Sequence, residues 1–520
     1  MNRLFPGEFM VVGFEGDTVN PALRKYVLEW RVAGVILFKR NITRNRTAAL
    51  LRELGKLRRE ISDLPLLIAV DQEGGSVCRF REGVTFFPGN MALGISASAE
   101  EARRQGKITA EELRRKGVNM NLAPVLDLYS PSGSSASGIR SLGSDPRRVA
   151  LLGEALIRGM QEAGIVATAK HFPGKGKASL DSHLSLPVIN RSAHQLESED
   201  LVPFRAAIGC GVKAIMTSHA AYPAFQGKIN CPSTLSPEVL KGILRRELKF
   251  ENLIITDDLG MGAIRDYCPV PEASRLALKA GADMVLLCHS APEREKVFSL
   301  LSEAVKKDKA LARELRESGE RIRRVKSELR DFSPLGLPRK KESNELAERI
   351  ARRAVRVLRD RRRSLPFDKK KETLLIRVRP ERTVEVENRE SAGLSLEDCL
   401  IQEGLPTKSH DIGVNPSGEE IESCLRRAKK AERLLLTSYD AYNYQNQIRL
   451  LEALLKEHPD AVLAVLKDPR DAGIFPRAAC VIASFGFSPP SLRALAGVIS
   501  GRIEAENKAP GLAGIGPDYT

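Results

Sequence analysis

The chain has 520 residues, of which 42% are hydrophobic and 28% are charged, and its formal net charge is +16. This length predicts two or three domains, and the composition is that of a globular protein. Because no apolar run approaches the roughly 18–20 residues that cross a bilayer, the sequence predicts no membrane segment.

The N-terminal stretch indicates the compartment, and the cysteines bear on metal sites and disulfides. The first 14 residues, MNRLFPGEFMVVGF, lack the long apolar segment of a secretory signal, so we expect a cytoplasmic protein. The 8 cysteines are scattered and form no CxxC pair, which argues against a zinc site or a disulfide framework. We therefore expect free thiols and predict neither a metal nor another cofactor.

The positive charge is concentrated in part at 351–363 and 369–371. Nucleic-acid binding is one interpretation of such runs. No zinc-finger, helix-turn-helix or aromatic-interleaved pattern accompanies them, so a solvated helix face followed by a linker is favoured. We expect no nucleic-acid partner and no membrane partner, and no oligomeric state is predicted.

The first 300 residues or so repeat a short apolar run followed by a helical pattern. Such runs suit strands that are buried on both faces of a parallel sheet. Eight units of this length predict a (β/α)₈ barrel, and the absence of a GxGxxG loop weakens the alternative of an open doubly wound sheet. The expected strands are Phe9–Phe14, Gly34–Phe38, Leu66–Asp71, Asn119–Leu128, Val166–His171, Ala214–His219, Leu253–Asp257 and Met284–His289.

Polar side chains stand at the ends of six of these expected strands. In a barrel the carboxyl ends of the strands meet at one face, where active sites lie, so the side chains predict a shared pocket. Hydrogen bonding at the barrel rim is the alternative for any single one, notably Asp127 or His289. The residues are Asp71, Asp127, Lys170 with His171, His219, Asp257 with Asp258, and His289.

A break at 333–340 separates this pattern from a basic helix expected at Ser343–Arg362 and from a second alternation of strands and helices. We therefore predict a catalytic barrel at 1–335, a helical linker at 336–372 and a smaller α/β sandwich domain at 373–520. The expected strands of the smaller domain are Thr373–Val378, Arg433–Ser438, Ala461–Leu466 and Cys480–Phe485.

The segment from Lys170 to Pro187, KHFPGKGKASLDSHLSLP, is a loop that leaves the expected fifth strand. Asp181 and His183 are two residues apart, and in extended chain such side chains point the same way. The carboxylate can then orient the imidazole and leave its other nitrogen free for proton transfer. A solvated loop with an incidental Asp and His is the alternative.

This loop resembles the signature segment of bacterial β-N-acetylglucosaminidases of glycoside hydrolase family 3. Further segments resemble that family in the same order along the chain: AVDQEGG, IRSLGSDP, IMTSHAAYP and IITDDLGM. One departure is Lys175, which stands where the family pattern has a second His. The resemblance implies an enzyme with a (β/α)₈ barrel and, in some relatives, a second domain.

The resemblance also implies roles for residues of this chain. Asp257 falls on the nucleophile, His183 on the general acid/base and Asp181 on its orienting partner. The remaining matches are expected to bind the sugar. These are Asp71, Arg140, Lys170, His171 and His219.

The function that the resemblance implies is retaining, exo-acting hydrolysis of terminal β-linked N-acetylglucosamine from peptidoglycan fragments during wall recycling. Because a deprotonated His is neutral, it repels an anionic acceptor less than a carboxylate would, so phosphorolysis is one alternative. A β-glucosidase of the same family and a non-catalytic sugar-binding protein are the others.

Overall fold

A computed structural model gives the structure of the chain. It describes residues 4–132, 137–176, 178, 185–227, 230–329, 340–379, 387 and 393–506. These residues form two bodies of secondary structure: a closed barrel and an open sheet covered by helices.

Eight parallel strands close the predicted barrel, in which the first strand pairs with the eighth through Met10 and Val285. Going round the barrel, the order is β1-β8-β7-β6-β5-β4-β3-β2, so the strands follow one another as in the predicted fold. The strands are Met10–Val12 (β1), Gly34–Leu37 (β2), Leu67–Val70 (β3), Met120–Asn121 (β4), Val166–Phe172 (β5), Ala214–Thr217 (β6), Leu253–Asp258 (β7) and Met284–Leu287 (β8).

Helical segments connect these strands and cover the outside of the barrel. The longer helices bury one apolar face, as the leucines of Thr47–Arg59 do. The segments are Pro21–Leu28, Thr47–Arg59, Asn90–Ser96, Ala99–Arg115, Pro146–Glu162, Ala193–Gln195, Leu196–Asp200, Val202–Gly209, Pro223–Gln226, Glu238–Glu247, Gly262–Arg265, Val270–Ala280, Ala291–Lys307 and Lys309–Ser327. Short single turns lie at Pro6–Phe9, Lys39–Asn41, Gly138–Arg140 and Ser233–Leu235.

The fourth strand is much shorter than the expected Asn119–Leu128. Its regular pairing ends at Asn121, and beyond it an isolated bridge from Val125 to Lys170 and single backbone hydrogen bonds to β5 continue the contact. Pro124 stands between these points, and proline has no N–H to give to the ladder. The segment after Pro124 still carries Asp127 to the rim of the barrel.

A second sheet of six strands follows, in the order β9-β14-β13-β12-β10-β11. All its pairings are parallel except the antiparallel pairing of β9 with β14. The strands are Arg356–Asp360 (β9), Thr373–Val378 (β10), Thr407–Ile412 (β11), Arg433–Ser438 (β12), Val462–Val465 (β13) and Cys480–Ala483 (β14). The helical segments are Leu396–Gln402, Gly418–Ala428, Ala441–Asn443, Gln445–Glu457, Asp471–Ile474 and Pro489–Ile499.

Two strands of this sheet differ from the sequence prediction. The basic helix expected at Ser343–Arg362 is observed at Lys340–Ala354, and the chain then enters β9, so the predicted linker is not wholly helical. Strand β11 was not predicted. Both are edge strands, and an edge strand keeps one side toward solvent, so its sequence lacks the continuous apolar run of a central strand. The predicted domain boundaries themselves stay a prediction.

The barrel and the second sheet share packed surface. The apolar core of the sheet includes Met91, Ala92 and Ile95 of the barrel's own helix Asn90–Ser96. Tyr129 of the barrel donates a buried hydrogen bond of 2.8 Å from its hydroxyl to Oδ1 of Asp468. The second sheet therefore packs beside the segment that leads to Arg140.

Among the described residues, no helix combines the length and apolar character that crossing a bilayer requires.

Candidate active site

A cavity of about 820 Å³ opens at the carboxyl ends of the barrel strands. Its size suits a small ligand such as a sugar. Residues that follow β2, β3 and β8 line it together with the last residues of β5 and β7. Its charged and imidazole side chains are Lys39, Arg40, Asp71, Arg79, Arg140, Lys170, His171, Lys175, Asp257, Asp258, Arg265, His289 and Glu387.

Lys170 and His171 both reach this cavity although they are adjacent in β5. Adjacent side chains of a regular strand point to opposite faces. The pairing of β5 with β6 shifts register between Lys170 and Phe172, so the strand is irregular at this point. This irregularity brings two consecutive polar side chains to the same end of the barrel.

A buried network of charges holds the cationic side of the cavity. Nζ of Lys170 lies 2.9 Å from Oδ1 of Asp71 and 2.7 Å from Oε1 of Glu73. Arg140 donates two hydrogen bonds to Glu73, from Nη2 to Oε1 at 2.8 Å and from Nε to Oε2 at 2.9 Å. Nη2 of Arg79 lies 3.8 Å from Oδ2 of Asp71. Two carboxylates therefore fix three cations.

The network holds Glu73 and Lys170 in their charged forms. Burial alone would raise the pKa of Glu73, but the charges and hydrogen bonds of Arg140 and Lys170 outweigh it and hold that pKa well below its ordinary value. Burial likewise opposes the charged form of Lys170, but the carboxylates of Asp71 and Glu73 outweigh it and raise the lysine's pKa. The cavity therefore presents fixed charges to which sugar hydroxyls can hydrogen-bond.

His171 is held by Asp127, the buried carboxylate that follows β4. Its Nδ1 lies 2.7 Å from Oδ2 of Asp127, whose Oδ1 accepts hydrogen bonds from the backbone N–H groups of His171 at 3.2 Å and Lys175 at 2.9 Å. Burial, followed by the charge of Lys175, lowers the pKa of His171 well below its ordinary value. A neutral ring that donates Nδ1–H to Asp127 leaves the lone pair of Nε2 toward the cavity.

Asp257 lies at the end of β7 and faces both His171 and Lys175. Its Oδ2 is 3.9 Å from Nε2 of His171 and 3.9 Å from Nζ of Lys175. Its Oδ1 accepts a hydrogen bond of 2.9 Å from the backbone N–H of Asp258, which orients the carboxylate. The side chain is 18% exposed, so one carboxylate oxygen is accessible to a ligand in the cavity.

His219, which we expected to bind the sugar, is buried and is not among the described residues that line the cavity, so its role in binding stays a prediction. Nδ1 lies 2.8 Å from the hydroxyl of Thr234, and Nε2 lies 3.0 Å from the carbonyl oxygen of Asp258. Strand β6 ends at Thr217, two residues before His219. The position of His219 indicates that it supports the strand that carries Asp257.

The proton-transfer pair expected in the loop, Asp181 and His183, lies outside the described residues, which stop at 176 and 178 and resume at 185. Their assignment stays a prediction. The described start of the loop is well anchored, because the Tyr222 hydroxyl donates a hydrogen bond of 3.0 Å to the carbonyl oxygen of Gly174.

Sequence reasoning gave no role to several residues of this site. Glu73 had no expected role, although it lies in the AVDQEGG segment two residues after Asp71, and Arg79 had none either. Glu387 was missed because it belongs to the second body, where it lies 2.8 Å from Nζ of Lys467 and also lines the cavity. Of these three residues, only Glu73 had a signal in the sequence, because it is an acidic residue close to the end of a strand.

One set of side chains in the cavity has donor atoms that suit a metal ion. Ligand atoms of Asp258, Cys288 and His289 lie within 4.8 Å of one another. Burial, followed by the charge of Asp258, raises the pKa of the Cys288 thiol well above its ordinary value, which disfavours the thiolate. The guanidinium of Arg40 lies 3.4 Å from Nδ1 of His289 and adds a positive charge at this point. We therefore assign no ion to these residues.

Comparison with known proteins identifies a family match over the barrel. The profile of the glycosyl hydrolase family 3 N terminal domain matches residues 7–325. A beta-hexosaminidase of Xylella fastidiosa (strain M23) is 38% identical over 286 residues, which are 54% of this chain and 83% of that protein. A beta-hexosaminidase of Alkalilimnicola ehrlichii is 41% identical over 287 residues, which are 54% of this chain and 80% of that protein.

The second body has a solved counterpart as well. The structure of a family 3 beta-N-acetylglucosaminidase from Paenibacillus sp. str. FPU-7 superimposes with a TM-score of 0.91 at 33% identity, and the match covers 98% of this chain and 99% of that one. The two-domain arrangement described above is therefore shared with that protein.

Proposed function

The chain belongs to glycosyl hydrolase family 3 and is a glycoside hydrolase, and we propose that it is a retaining, exo-acting β-N-acetylglucosaminidase. One observation carries this proposal: Oδ2 of Asp257 faces a cavity in which Asp71, Arg140, Lys170 and His171 converge. A carboxylate that is oriented by a backbone N–H and is accessible to ligand is suited to attack an anomeric carbon.

In the first step, an oxygen of Asp257 forms a bond to the anomeric carbon while the bond from that carbon to the leaving oxygen breaks. The proton for the leaving oxygen comes from the His183 imidazolium, which Asp181 orients. In the second step, His183 takes a proton from water, the water oxygen bonds to the anomeric carbon, and the ester to Asp257 breaks. Two inversions retain the β configuration.

The described residues have the positioning roles in this scheme. Asp71, Arg140 and Lys170 hydrogen-bond the sugar hydroxyls, and the neutral His171 accepts a hydrogen bond at Nε2. These groups are held by buried partners before the sugar arrives, so little reorganisation is needed during the reaction. Positioning of this kind contributes much of the rate of a two-group mechanism.

The proposed substrate carries a terminal β-linked N-acetylglucosamine, and we propose peptidoglycan fragments in wall recycling as its source. The names of the similar proteins, two beta-hexosaminidases and a beta-N-acetylglucosaminidase, support the sugar. We also propose that the enzyme acts in the cytoplasm. The 8 cysteines support this proposal because all are free thiols, as is usual in a reducing compartment.

The test compares p-nitrophenyl β-N-acetylglucosaminide with the matching β-glucoside and follows the configuration of the released sugar by NMR. We expect kcat/KM to favour the N-acetylglucosaminide and the first sugar released to be the β anomer. Preference for the glucoside would indicate a β-glucosidase. Release of the α anomer first would overturn the retaining mechanism.

Phosphorolysis is a second candidate, and the position of Lys175 favours it. Its ammonium group lies 3.9 Å from Oδ2 of Asp257, where a second substrate would approach the glycosyl ester. An oxygen of inorganic phosphate would bond to the anomeric carbon as the ester bond breaks, which gives a sugar 1-phosphate. Product analysis in phosphate buffer distinguishes this outcome from free sugar.

A further inference from the structure

A second cavity of about 660 Å³ adjoins the catalytic cavity. Lys39 and Arg79 line both, so the two cavities meet at these side chains. Lys39 belongs to the turn that follows β2, and Arg79 follows the short antiparallel hairpin Gln72–Gly74 and Val77–Cys78 after β3. The second cavity therefore lies beside the β2 and β3 ends of the barrel mouth.

The described lining of the second cavity is strongly basic. Five of its side chains are basic and one is acidic, namely Glu82. That carboxylate lies 3.4 Å from Nε of Arg44, so a basic side chain of the same cavity already compensates its charge. The basic side chains are Lys39, Arg44, Arg79, Arg81 and Lys116.

These cations come from separate elements and converge on one space. Arg44 precedes the helix Thr47–Arg59, Arg81 lies after the hairpin, and Lys116 follows the helix Ala99–Arg115. Ile42 and Phe80 add apolar surface to the lining. A cavity of this size with apolar surface and a one-sided charge suits a polar organic anion rather than a neutral sugar.

We propose that this second cavity, the basic subsite, binds an anionic group on the part of the substrate that leaves. The proposal rests on the proposed function, because an exo-acting enzyme holds the terminal sugar in the catalytic cavity and must leave room beside it for the rest of the substrate. The carboxylate of a muramic acid residue and a phosphate ester on a sugar share the required chemistry.

The test uses three disaccharides that differ in charge on the second sugar. N-acetylglucosamine is β-1,4-linked to N-acetylglucosamine, to N-acetylmuramic acid, which carries a carboxylate, or to N-acetylglucosamine 6-phosphate. We measure kcat/KM for each with the wild-type enzyme and with the double variant Arg81→Glu, Lys116→Glu. Arg426→Glu, on an exposed helix of the second sheet, is the matched control. Circular dichroism and thermal unfolding verify that each variant is folded.

We expect the ratio of kcat/KM for an anionic over the neutral disaccharide to fall by about tenfold in the double variant, because reversed charges repel the anion. The control variant Arg426→Glu should keep the wild-type ratio. Added salt should lower this ratio in the wild-type enzyme, because it screens the attraction between the cations and the anion. The anionic disaccharide whose ratio falls more in the double variant shows whether carboxylate or phosphate is the better ligand of the basic subsite. An unchanged ratio with both anions overturns the inference while hydrolysis of the neutral disaccharide stands. If the enzyme hydrolyses none of the three disaccharides and does not hydrolyse the aryl glycoside, the proposed function is overturned instead.

Discussion

Glu73 holds Arg140 in place by two parallel hydrogen bonds, from Nη2 at 2.8 Å and from Nε at 2.9 Å. Both side chains are almost fully buried, and Glu73 also lies 2.7 Å from Nζ of Lys170. Glu73 is not among the described residues that line the catalytic cavity, whereas Arg140 and Lys170 are. The carboxylate of Glu73 therefore lies behind the lining of the catalytic cavity and orients two cations of that lining, Arg140 and Lys170.

Substitution Glu73→Gln keeps the size of the side chain and removes the charge that both cations face. Breaking a buried ion pair from one side costs about 3–5 kcal/mol, so we expect a clear loss of unfolding free energy. Because Arg140 and Lys170 lose their common anchor, KM for the aryl N-acetylglucosaminide should also rise. Urea unfolding and steady-state kinetics measure the two effects. The control is Glu162→Gln, which removes an equally bidentate but exposed partner, that of Arg103, and should change both far less.

The stabilisation by Glu73 should depend on pH in a defined direction. Its carboxyl has a pKa below the ordinary value of 4.5, because Arg140 and Lys170 outweigh burial. A depressed carboxyl pKa stabilises the fold fully above the unfolded value and loses that contribution as pH falls below it. The gap in unfolding free energy between wild type and Glu73→Gln should therefore be constant from pH 8 to about 5 and narrow below 4.5. A gap that widens toward acid would contradict the assignment.

His171 should make the wild-type protein less stable below pH 6.5. Burial and the charge of Lys175 lower its pKa well below the ordinary 6.5, so in this range the unfolded chain binds a proton that the folded chain does not. The unfolding free energy then falls as pH falls, by at most about 1.4 kcal/mol per pH unit for one proton. His171→Gln should reduce this slope between pH 6.5 and 5.5, as measured by urea unfolding at several pH values. His194→Gln, at an exposed histidine, is the control.

Much of the barrel could be predicted because its strands are buried on both faces. Runs such as those of β2 and β3 are continuously apolar and buried, and all eight strands were found. The strand ends then placed Asp71, Lys170 and Asp257 at one face without any knowledge of contacts. The confirmed fold follows from these local signals.

Other features could not be predicted because they depend on distant parts of the chain. The link between Lys170 and Glu73 joins β5 to the hairpin after β3, and the approach of Glu387 to the cavity depends on how the second sheet packs. The contact of His219 with the carbonyl oxygen of Asp258 likewise joins the end of β6 to β7, two segments that are distant in the sequence. Edge strands β9 and β11 share sequence features with solvated helices and loops.

Lys467 should be essential to the part of the second sheet that faces the catalytic cavity. Its Nζ lies 2.8 Å from Glu387 and 2.8 Å from Asp440, and all three side chains are buried. Although burial opposes the charge, the two carboxylates outweigh it and hold the pKa of Lys467 well above its ordinary value. Lys467→Met keeps the length of the side chain and removes the cation that both carboxylates contact. We expect a loss of about 3–5 kcal/mol in unfolding free energy.

The same variant tests whether Glu387 contributes to the catalytic cavity. If Lys467 positions Glu387 for substrate, KM for the neutral disaccharide should rise in the fraction of enzyme that remains folded. Lys408→Met removes the cation of an exposed pair with Glu372 in the same sheet and serves as the control for both measurements. A lower melting temperature with an unchanged KM would limit Lys467 to a structural role.

The most direct test of the mechanism is Asp257→Ala. Removal of a covalent nucleophile should lower kcat by about 10⁴-fold or more, whereas Asp266→Ala, at an exposed aspartate at the end of the helix Gly262–Arg265, should have no such effect. The vacated space at the anomeric carbon can admit azide, and a single displacement by azide inverts the configuration. We therefore expect azide to restore release of p-nitrophenol from Asp257→Ala and to form the α-glycosyl azide, identified by NMR. If Asp257→Ala hydrolyses the substrate within tenfold of the wild-type rate, or if azide yields only the β product, another group is the nucleophile and the double-displacement scheme through Asp257 is wrong.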